Sequence, residues 1–433
     1  MNPLIVLAVV LFAGAVAAQE TPDAGPAPEE VAAPPADVPA EPIRALAPQP
    51  VAAPAVAEPS PAPAVGKDEG TVVKAGFGEG FTVQHGPFRF NLRGRMQLQG
   101  FAVVPTEDSS AHRANGFMIR RARLVLKTEL PYELSLNLQL AFSNQDMEPD
   151  MPNVLRDFYG EWRRFRDVSV RFGQGKVPYG VQRVISSSAQ QFVDRSVVVA
   201  EFNLDRDVGV TLFSDDLLGL GGRLQYALSV FGGDGRNRIG LNQGLLYVAR
   251  LRVSPFGKFD EKWEGDPDRS DRLRLGLGGG VAYNVMTNRP RSTINTPYVA
   301  NTFDYFHAGA DLVFKWKGFS VASEFFWRQA DALSKTGMYK DMSVTEYSRP
   351  GWGWFAQAGY YVLPWLELGA RYGDARPFGG ADPKFARTRE IGGTLNFMVK
   401  KHDLKLQVDS FWLDDGNFGD GRYQLRAQAQ IFF

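Results

Sequence analysis

Arginine is the residue type on which chemistry could rest in this sequence, and its spacing is regular. Arg89, Arg93 and Arg95 fall at even intervals, as do Arg121, Arg123 and Lys127. In an extended strand, even spacing puts each set on one face. A guanidinium stays charged and offers a planar fork that fits phosphate or carboxylate oxygens. A row of such groups along a water-filled passage lets an oxyanion step between weak sites, which conduction requires. Arg171, Arg223, Arg250 and Arg252 share the parity, followed by Arg272, Arg274, Lys315, Arg328, Arg371, Lys405 and Arg426. Acids of that parity are fewer: Glu129, Glu133, Asp157, Glu161, Asp207, Asp311, Glu324, Glu367, Glu390 and Asp409. For any one of these arginines, pairing with an acid that merely braces a wall is an equal alternative to binding a passing anion. Arg120 has the opposite parity and is expected at the outer rim, against lipopolysaccharide or a neighbouring subunit.

A long non-periodic segment, about 177–204, holds Arg183, Arg195 and the run Ser186-Ser187-Ser188, with Lys176 at its base. It is a candidate constriction. Its serines could donate hydrogen bonds to an anion, and a polar loop explains them equally well.

Other chemistry is not supported. The chain has no cysteine, which removes thiol catalysis, Cys-ligated zinc, iron–sulfur clusters and disulfides. The four histidines (His85, His112, His307, His402) are dispersed and show no metal spacing. Gly276 and Gly278–Gly280 precede no helix, so they mark a strand bend rather than a phosphate cradle. Asp414-Asp415-Gly416-Asn417 with Asp420 misses the EF-hand template and reads as a turn. No metal, no cofactor and no enzymatic constellation is expected. With 48 basic and 48 acidic residues, nothing suggests a nucleic-acid partner held by a basic surface.

The elements that must carry these arginines are β-strands. From residue 88 onward apolar and polar residues alternate with period 2. Phe88, Phe90, Leu92, Met96 and Leu98 oppose Arg89, Arg93 and Arg95, and Tyr423, Leu425, Ala427, Ala429, Ile431 and Phe433 repeat the pattern at the other end. Sixteen segments read this way: 88–104, 115–130, 132–142, 153–165, 167–176, 205–213, 221–231, 243–254, 272–286, 303–316, 318–331, 351–362, 365–374, 387–400, 403–413 and 421–433. A tilted strand needs about 9–11 residues to cross a bilayer. Short connections alternate with long ones, the signature of a transmembrane barrel with short periplasmic turns and long outer loops. The connection 255–271 (SPFGKFDEKWEGDPDRS) is the misfit, long where a short turn is due. Trp162, Trp316 and Trp365 fall at inner strand ends, and Trp327, Trp352, Trp354 and Trp412 at outer ends, as two aromatic belts would require. The fold expected is a 16-stranded antiparallel transmembrane β-barrel over 88–433.

Ahead of it, residues 1–18 read as a signal peptide with an apolar run and small residues at its end. Residues 19–66 hold 13 of the 28 prolines and too few large apolar groups to fold, and so read as a disordered Ala/Pro-rich spacer in the periplasm. Their charge is −6, from seven acids against Arg44, so residues 67–433 carry +6. Residues 67–87 form a lead-in.

Four stretches resemble the phosphate-selective porin O/P family: FMIRRARLVL at 117–126, RFGQGKVPYG at 171–180, FVDRSVVVAEFNLDRDVGVTLF at 192–213 and YALSVFGGDG at 226–235. Gly175 and Tyr179 depart from that pattern, each standing where the family usually has Phe. The resemblance implies a homotrimeric outer-membrane porin of a Gram-negative bacterium, a third loop folded into the lumen, and passage of phosphate or other small anions. The terminal Phe433 is similar to the signal such barrels present to the barrel-assembly machinery. A general or sugar-type porin, and a structural barrel that tethers the envelope, are the competing readings. Bilayer conductance separates a channel from a tether, and reversal potential an anion channel from a general one.

Overall fold

A computed structural model describes residues 70–433 apart from 107–111, 149–151, 239–243, 260–261, 415 and 417–419. Residues 1–18 and 19–66, expected as a signal peptide and a spacer, and part of the acidic turn near Asp414 lie outside the described residues.

The alternating segments form one closed antiparallel barrel. Its strands are β3 (Phe88–Pro105), β4 (Ala114–Leu130), β5 (Leu134–Ala141), β6 (Leu155–Trp162), β7 (Ser169–Lys176), β8 (Arg206–Ser214), β9 (Leu224–Phe231), β10 (Leu246–Val253), β11 (Arg274–Thr287), β12 (Phe303–Trp316), β13 (Phe319–Ala330), β16 (Gly351–Leu363), β17 (Leu366–Pro377), β18 (Thr388–His402), β19 (Leu404–Asp414) and β20 (Gly421–Phe432). Each pairs with its neighbours, and β20 closes on β3 with Arg422 opposite Pro105 and Phe432 opposite Arg95. Closure leaves no unpaired edge, the condition for a sheet in lipid.

Period 2 assigns the faces. Along β3, Phe90, Leu92, Met96 and Leu98 are exposed while Arg95, Gln97 and Gln99 are buried. Along β19, Leu406 is exposed between buried Lys405 and Gln407. The outside is apolar and the inside polar, the reverse of a water-soluble domain. The tryptophans sort to the two rims. Trp316 and Trp365 are exposed at the inner end, and Trp412 packs on Tyr423 at the outer end with ring centroids 4.6 Å apart. The β12–β13 connection is two residues, Lys317 and Gly318, both at positive φ, as a type I′ hairpin turn requires.

Four features depart from the sequence reading. The lead-in is a hairpin, β1 (Val72–Gly76) and β2 (Gly80–His85), and β2 pairs with β3 below the point where β20 ends. The sixth outer loop carries a second hairpin, β14 (Ser334–Tyr339) and β15 (Met342–Tyr347). The third outer loop holds two short helices, α1 (Val181–Val184) and α2 (Val197–Phe202). Finally, β4 has a bulge. The register passes from Gln97 opposite Arg121 to Leu98 opposite Ile119, leaving Arg120 as the extra residue. The bulge turns Arg120 inward, so the rim contact expected from its parity is not made.

Candidate functional site

The third outer loop crosses the barrel interior, and its apolar residues hold it there. Val177, Tyr179, Val198, Val199, Phe202 and Leu204 form a buried core with Phe231, Leu246, Val248, Ala282, Phe326 and Phe355 of the wall. The loop's backbone donors meet wall carboxylates. Val181 N and Gln182 N donate to the Glu324 oxygens at 2.9 and 2.6 Å, Val193 N to Asp409 at 3.0 Å, and Val197 N to Glu390 at 3.2 Å. Several acids of lumen parity are thus engaged by loop backbone. Ser196 caps α2 by accepting from Val198 N at 3.2 Å.

The loop tip and the arginines of β3 and β4, separate features in sequence, meet. Arg95 donates to Ser187 Oγ at 3.1 Å and Ser186 Oγ at 3.5 Å, and Arg123 reaches Ser187 Oγ at 3.3 Å. Ser188 carbonyl accepts from Gln430 at 3.1 Å. Asp194 of the same loop binds Arg121 at 3.0 Å, Arg120 at 3.1 Å and Arg426 at 3.6 Å. Burial favours its neutral form, but these three guanidiniums outweigh burial and hold its carboxyl well below the usual range. Asp146, on the second outer loop, is likewise clasped by Arg123 and by Arg156 at 2.8 Å.

The cations divide into two groups. Most are paired: Arg89 with Glu129 at 3.7 Å, Arg93 with Asp403 at 3.2 Å, Arg171 with Glu161 at 2.6 Å, Arg250 and Arg252 with Asp311 at 2.6 Å each, and Arg183 with Asp205. Four near the constriction have no carboxylate ion pair among the described residues. Arg95 bonds serines, Arg195 donates to the carbonyls of Gln182 and Ile185 at 3.0 and 2.8 Å, Lys176 donates to those of Val184 and Ile185 at 2.6 and 3.2 Å, and Lys405 donates to that of Gln190 at 3.0 Å. Arg195 is pushed down to about 10, first by burial, and keeps its charge at neutral pH. Arg95 and Arg123 contact the serine hydroxyls, Arg121 and Arg195 stand near Arg95, and Asp146 and Glu264 are among the acids nearby. Arg223 does not join them; it lies in the inner turn before β9, exposed. Lys127, also exposed, lines the inner cavity.

Sequence reasoning missed the outer mouth, because its residues come from loops without period. A cavity of about 1010 Å³ is lined there by Glu148, Glu201, Arg236, Arg289, Arg291, Arg349 and Tyr298, among others. Glu148 gathers Arg236, Arg238 and Arg289 at 3.1–3.3 Å. Glu201 gathers Arg328, Arg349 and Arg291 at 2.5, 2.8 and 3.9 Å. In the second cluster Arg349 also pairs with Asp382 at 2.8 Å. An inner cavity of about 540 Å³, lined by Lys74, Arg89, Arg93, Lys127, Glu129, Lys262 and Trp263 among others, lies at the opposite end.

The 16-stranded antiparallel barrel agrees with the comparisons to known proteins. Among solved structures the chain resembles the outer-membrane protein OmpF of Salmonella typhi (TM-score 0.53, 13% identity, 80% of this chain and 98% of that one). It also resembles the outer membrane channel DcaP of Acinetobacter baumannii (0.51, 14%, 81% and 99%) and an anion-selective porin from Comamonas acidovorans (0.51, 11%, 80% and 100%). At these identities the likeness is one of fold. A protein of Aquifex aeolicus (strain VF5) is 23% identical over 387 residues, covering 79% of this chain and 87% of its own. The family model for phosphate-selective porin O and P matches residues 90–372. The chain is therefore a porin of the outer membrane and belongs to the phosphate-selective porin O and P family.

Proposed function

We propose that this porin favours small anions, phosphate or related oxyanions among them, and selects them where the third loop meets β3 and β4. The observation that carries the reading is Arg95. It is 4% exposed, faces the serine run, and has no carboxylate ion pair among the described residues, so its charge is available to a passing anion. Arg195 and Lys176 add to the same field. Paired arginines such as Arg250 and Arg252 shape the wall more than they attract. The measurement is the reversal potential in a salt gradient across a planar bilayer, followed by phosphate titration against chloride conductance. Preference for cations, or chloride conductance indifferent to phosphate, defeats the respective part.

A general or sugar-type porin remains the second reading because part of the lumen is neutral. Gln97, Gln99, Gln407, Gln428 and Gln430 are buried on adjoining strands β3, β19 and β20, and carboxamides bond sugar hydroxyls. Liposome swelling with neutral sugars separates the two. We infer further that the protein assembles as a homotrimer, contacting lipopolysaccharide at its outer rim, and that residues 19–66 extend into the periplasm. Phe433 engages the barrel-assembly machinery in this reading. Its backbone exchanges two hydrogen bonds with Gly94, at 2.7 and 3.0 Å, where the barrel seam closes, while its side chain stays exposed.

A further inference from the structure

Charge belongs on the lumen face of this barrel, yet one group of charged side chains stands on the lipid face, at the outer ends of β17 and β18. The strand registers fix two rows there. Ala356, Tyr372, Ile391, Trp412 and Tyr423 oppose one another in turn from β16 to β20, and Ile391 and Tyr423 are exposed. This row is part of the outer aromatic belt. The next row on the same face is Trp354, Asp374, Arg389 and Asp414, about 7 Å farther along the strands. Arg376 follows two residues beyond Asp374, opposite Trp352, with its guanidinium carbon 4.8 Å from that ring's centroid. Ala375, between the two, points the other way, into the core that holds the third loop.

Asp374 organises the group. Arg376 Nε and Nη2 donate to its Oδ2 at 2.9 and 2.6 Å. Arg387, just ahead of β18, donates from Nε to Oδ1 at 3.0 Å and from Nη2 to Oδ2 at 2.7 Å. The Asp374 side chain is 1% exposed, whereas those of Arg376 and Arg387 are 40% and 32% exposed. One carboxylate thus holds two guanidiniums, and the Nη1 of each donates to no group among the described residues. Arg389 is engaged by Asp414 at 2.9 Å. Near the outer ends of β12 and β13 the balance is opposite, with Asp304 and Asp331 against Lys335.

We propose that Arg376 and Arg387 form a docking site for a phosphate of lipid A, the phosphorylated lipid of the outer leaflet, with its acyl chains along the row Tyr372, Ile391 and Trp412. Guanidiniums already fixed by a carboxylate can pair with phosphate oxygens through their remaining donors. The exposed apolar row directly below suits acyl chains and offers nothing to a free phosphate ion, which is why the occupant is a lipid. The inference rests on the reading that lipopolysaccharide touches the outer rim, and supplies the contact that Arg120, turned inward by its bulge, does not make.

Native mass spectrometry tests it on full-length folded protein, stripped of lipid in detergent and titrated with diphosphoryl lipid A. Arg376→Gln with Arg387→Gln and Asp374→Asn strands no acid, and should bind this lipid on the order of tenfold more weakly than the parent, because charge-assisted hydrogen bonds are lost. Arg376→Gln alone keeps the Arg387–Asp374 pair, so it decides even if the triple variant does not fold, and should lose affinity several-fold. Lys335→Gln should bind as the parent does, and lipid A stripped of its phosphates should not distinguish the proteins. Equal binding of diphosphoryl lipid A by parent and arginine variants overturns the site while the rim contact stands. A parent that binds no lipid A overturns both. Displacement of lipid A by an equal concentration of inorganic phosphate makes the site one for the free ion and overturns the lipid assignment.

Discussion

Arg95→Gln separates an attracting charge from a bracing one. Arg95 lies on β3 with its guanidinium 3.1 Å from Ser187 Oγ and no carboxylate pair among the described residues. Its removal therefore strands no buried acid, and the glutamine can still bond the serines, so the barrel should assemble normally. The effect on a permeating anion follows from Coulomb's law. A unit charge about 4 Å away contributes about 1 kcal/mol in bulk water and about 4 kcal/mol at the effective dielectric of a protein surface. A narrow passage walled by protein falls between these limits. Since about 1.4 kcal/mol is tenfold in partitioning, the anion-to-cation permeability ratio should fall on the order of tenfold at low salt. At about 1 M salt, where the Debye length is about 3 Å, the longer-range part of the attraction is screened and the difference should shrink. Reversal potentials in matched gradients at low and high ionic strength measure both. A folded Arg95→Gln channel whose reversal potential equals the parent's at low salt refutes the reasoning, because a buried wall cation that faces the serine run with no carboxylate ion pair among the described residues would then play no part in selection.

Arg123→Gln should behave differently. It leaves Asp146 buried with Arg156 as its remaining ion pair, so the cost should fall below the about 3–5 kcal/mol of a buried charge left with no partner. Heat-modifiable electrophoresis should show the barrel unfolding at lower temperature. Asp194→Asn removes the anion shared by Arg120, Arg121 and Arg426, so the reversal potential should shift toward greater anion preference. The Asp194 carboxyl is held below its ordinary value of about 3.9, so the stability it contributes is present above that value and lost only as pH falls below it. In the parent, selectivity between about pH 5 and pH 8 should not change through this group, and a transition centred there would contradict the assignment. Deleting Phe433 removes the two backbone hydrogen bonds to Gly94, and should lower the fraction of folded barrel in outer-membrane preparations.

The wall of the barrel was legible because a single physical rule wrote it. Every strand separates lipid from water, so every strand alternates, and all sixteen expected segments overlap an observed strand. The rule fails where the backbone changes phase. At Arg120 one extra residue sends two successive arginines to the same side, and no periodicity argument shows a bulge inside a run of like residues. It fails again where a segment is not wall. The β14–β15 hairpin and the β1–β2 hairpin are too short, and too exposed on both faces, for alternation to mark them.

The interior was less legible, because loops that enter the lumen obey neither the lipid rule nor the usual rule for solvent loops. One signal was present. The third loop carries Val177, Val181, Phe192, Val198, Val199 and Phe202, and the long inner turn carries Phe256, Phe259 and Trp263, more apolar weight than a solvated connection keeps. Such segments need a surface to cover, and inside a closed barrel the available surface is the lumen. Their entry alters the charge of the pore in a way strand parity cannot show. The loops bring acids of their own, Asp146, Glu148, Asp194, Glu201 and Glu264, and set most of them against wall or loop arginines. The field an anion meets is therefore the remainder after loop acids have taken their wall partners. Arg95 survives in that remainder because the loop places serines opposite it, where an acid would have closed the site to anions.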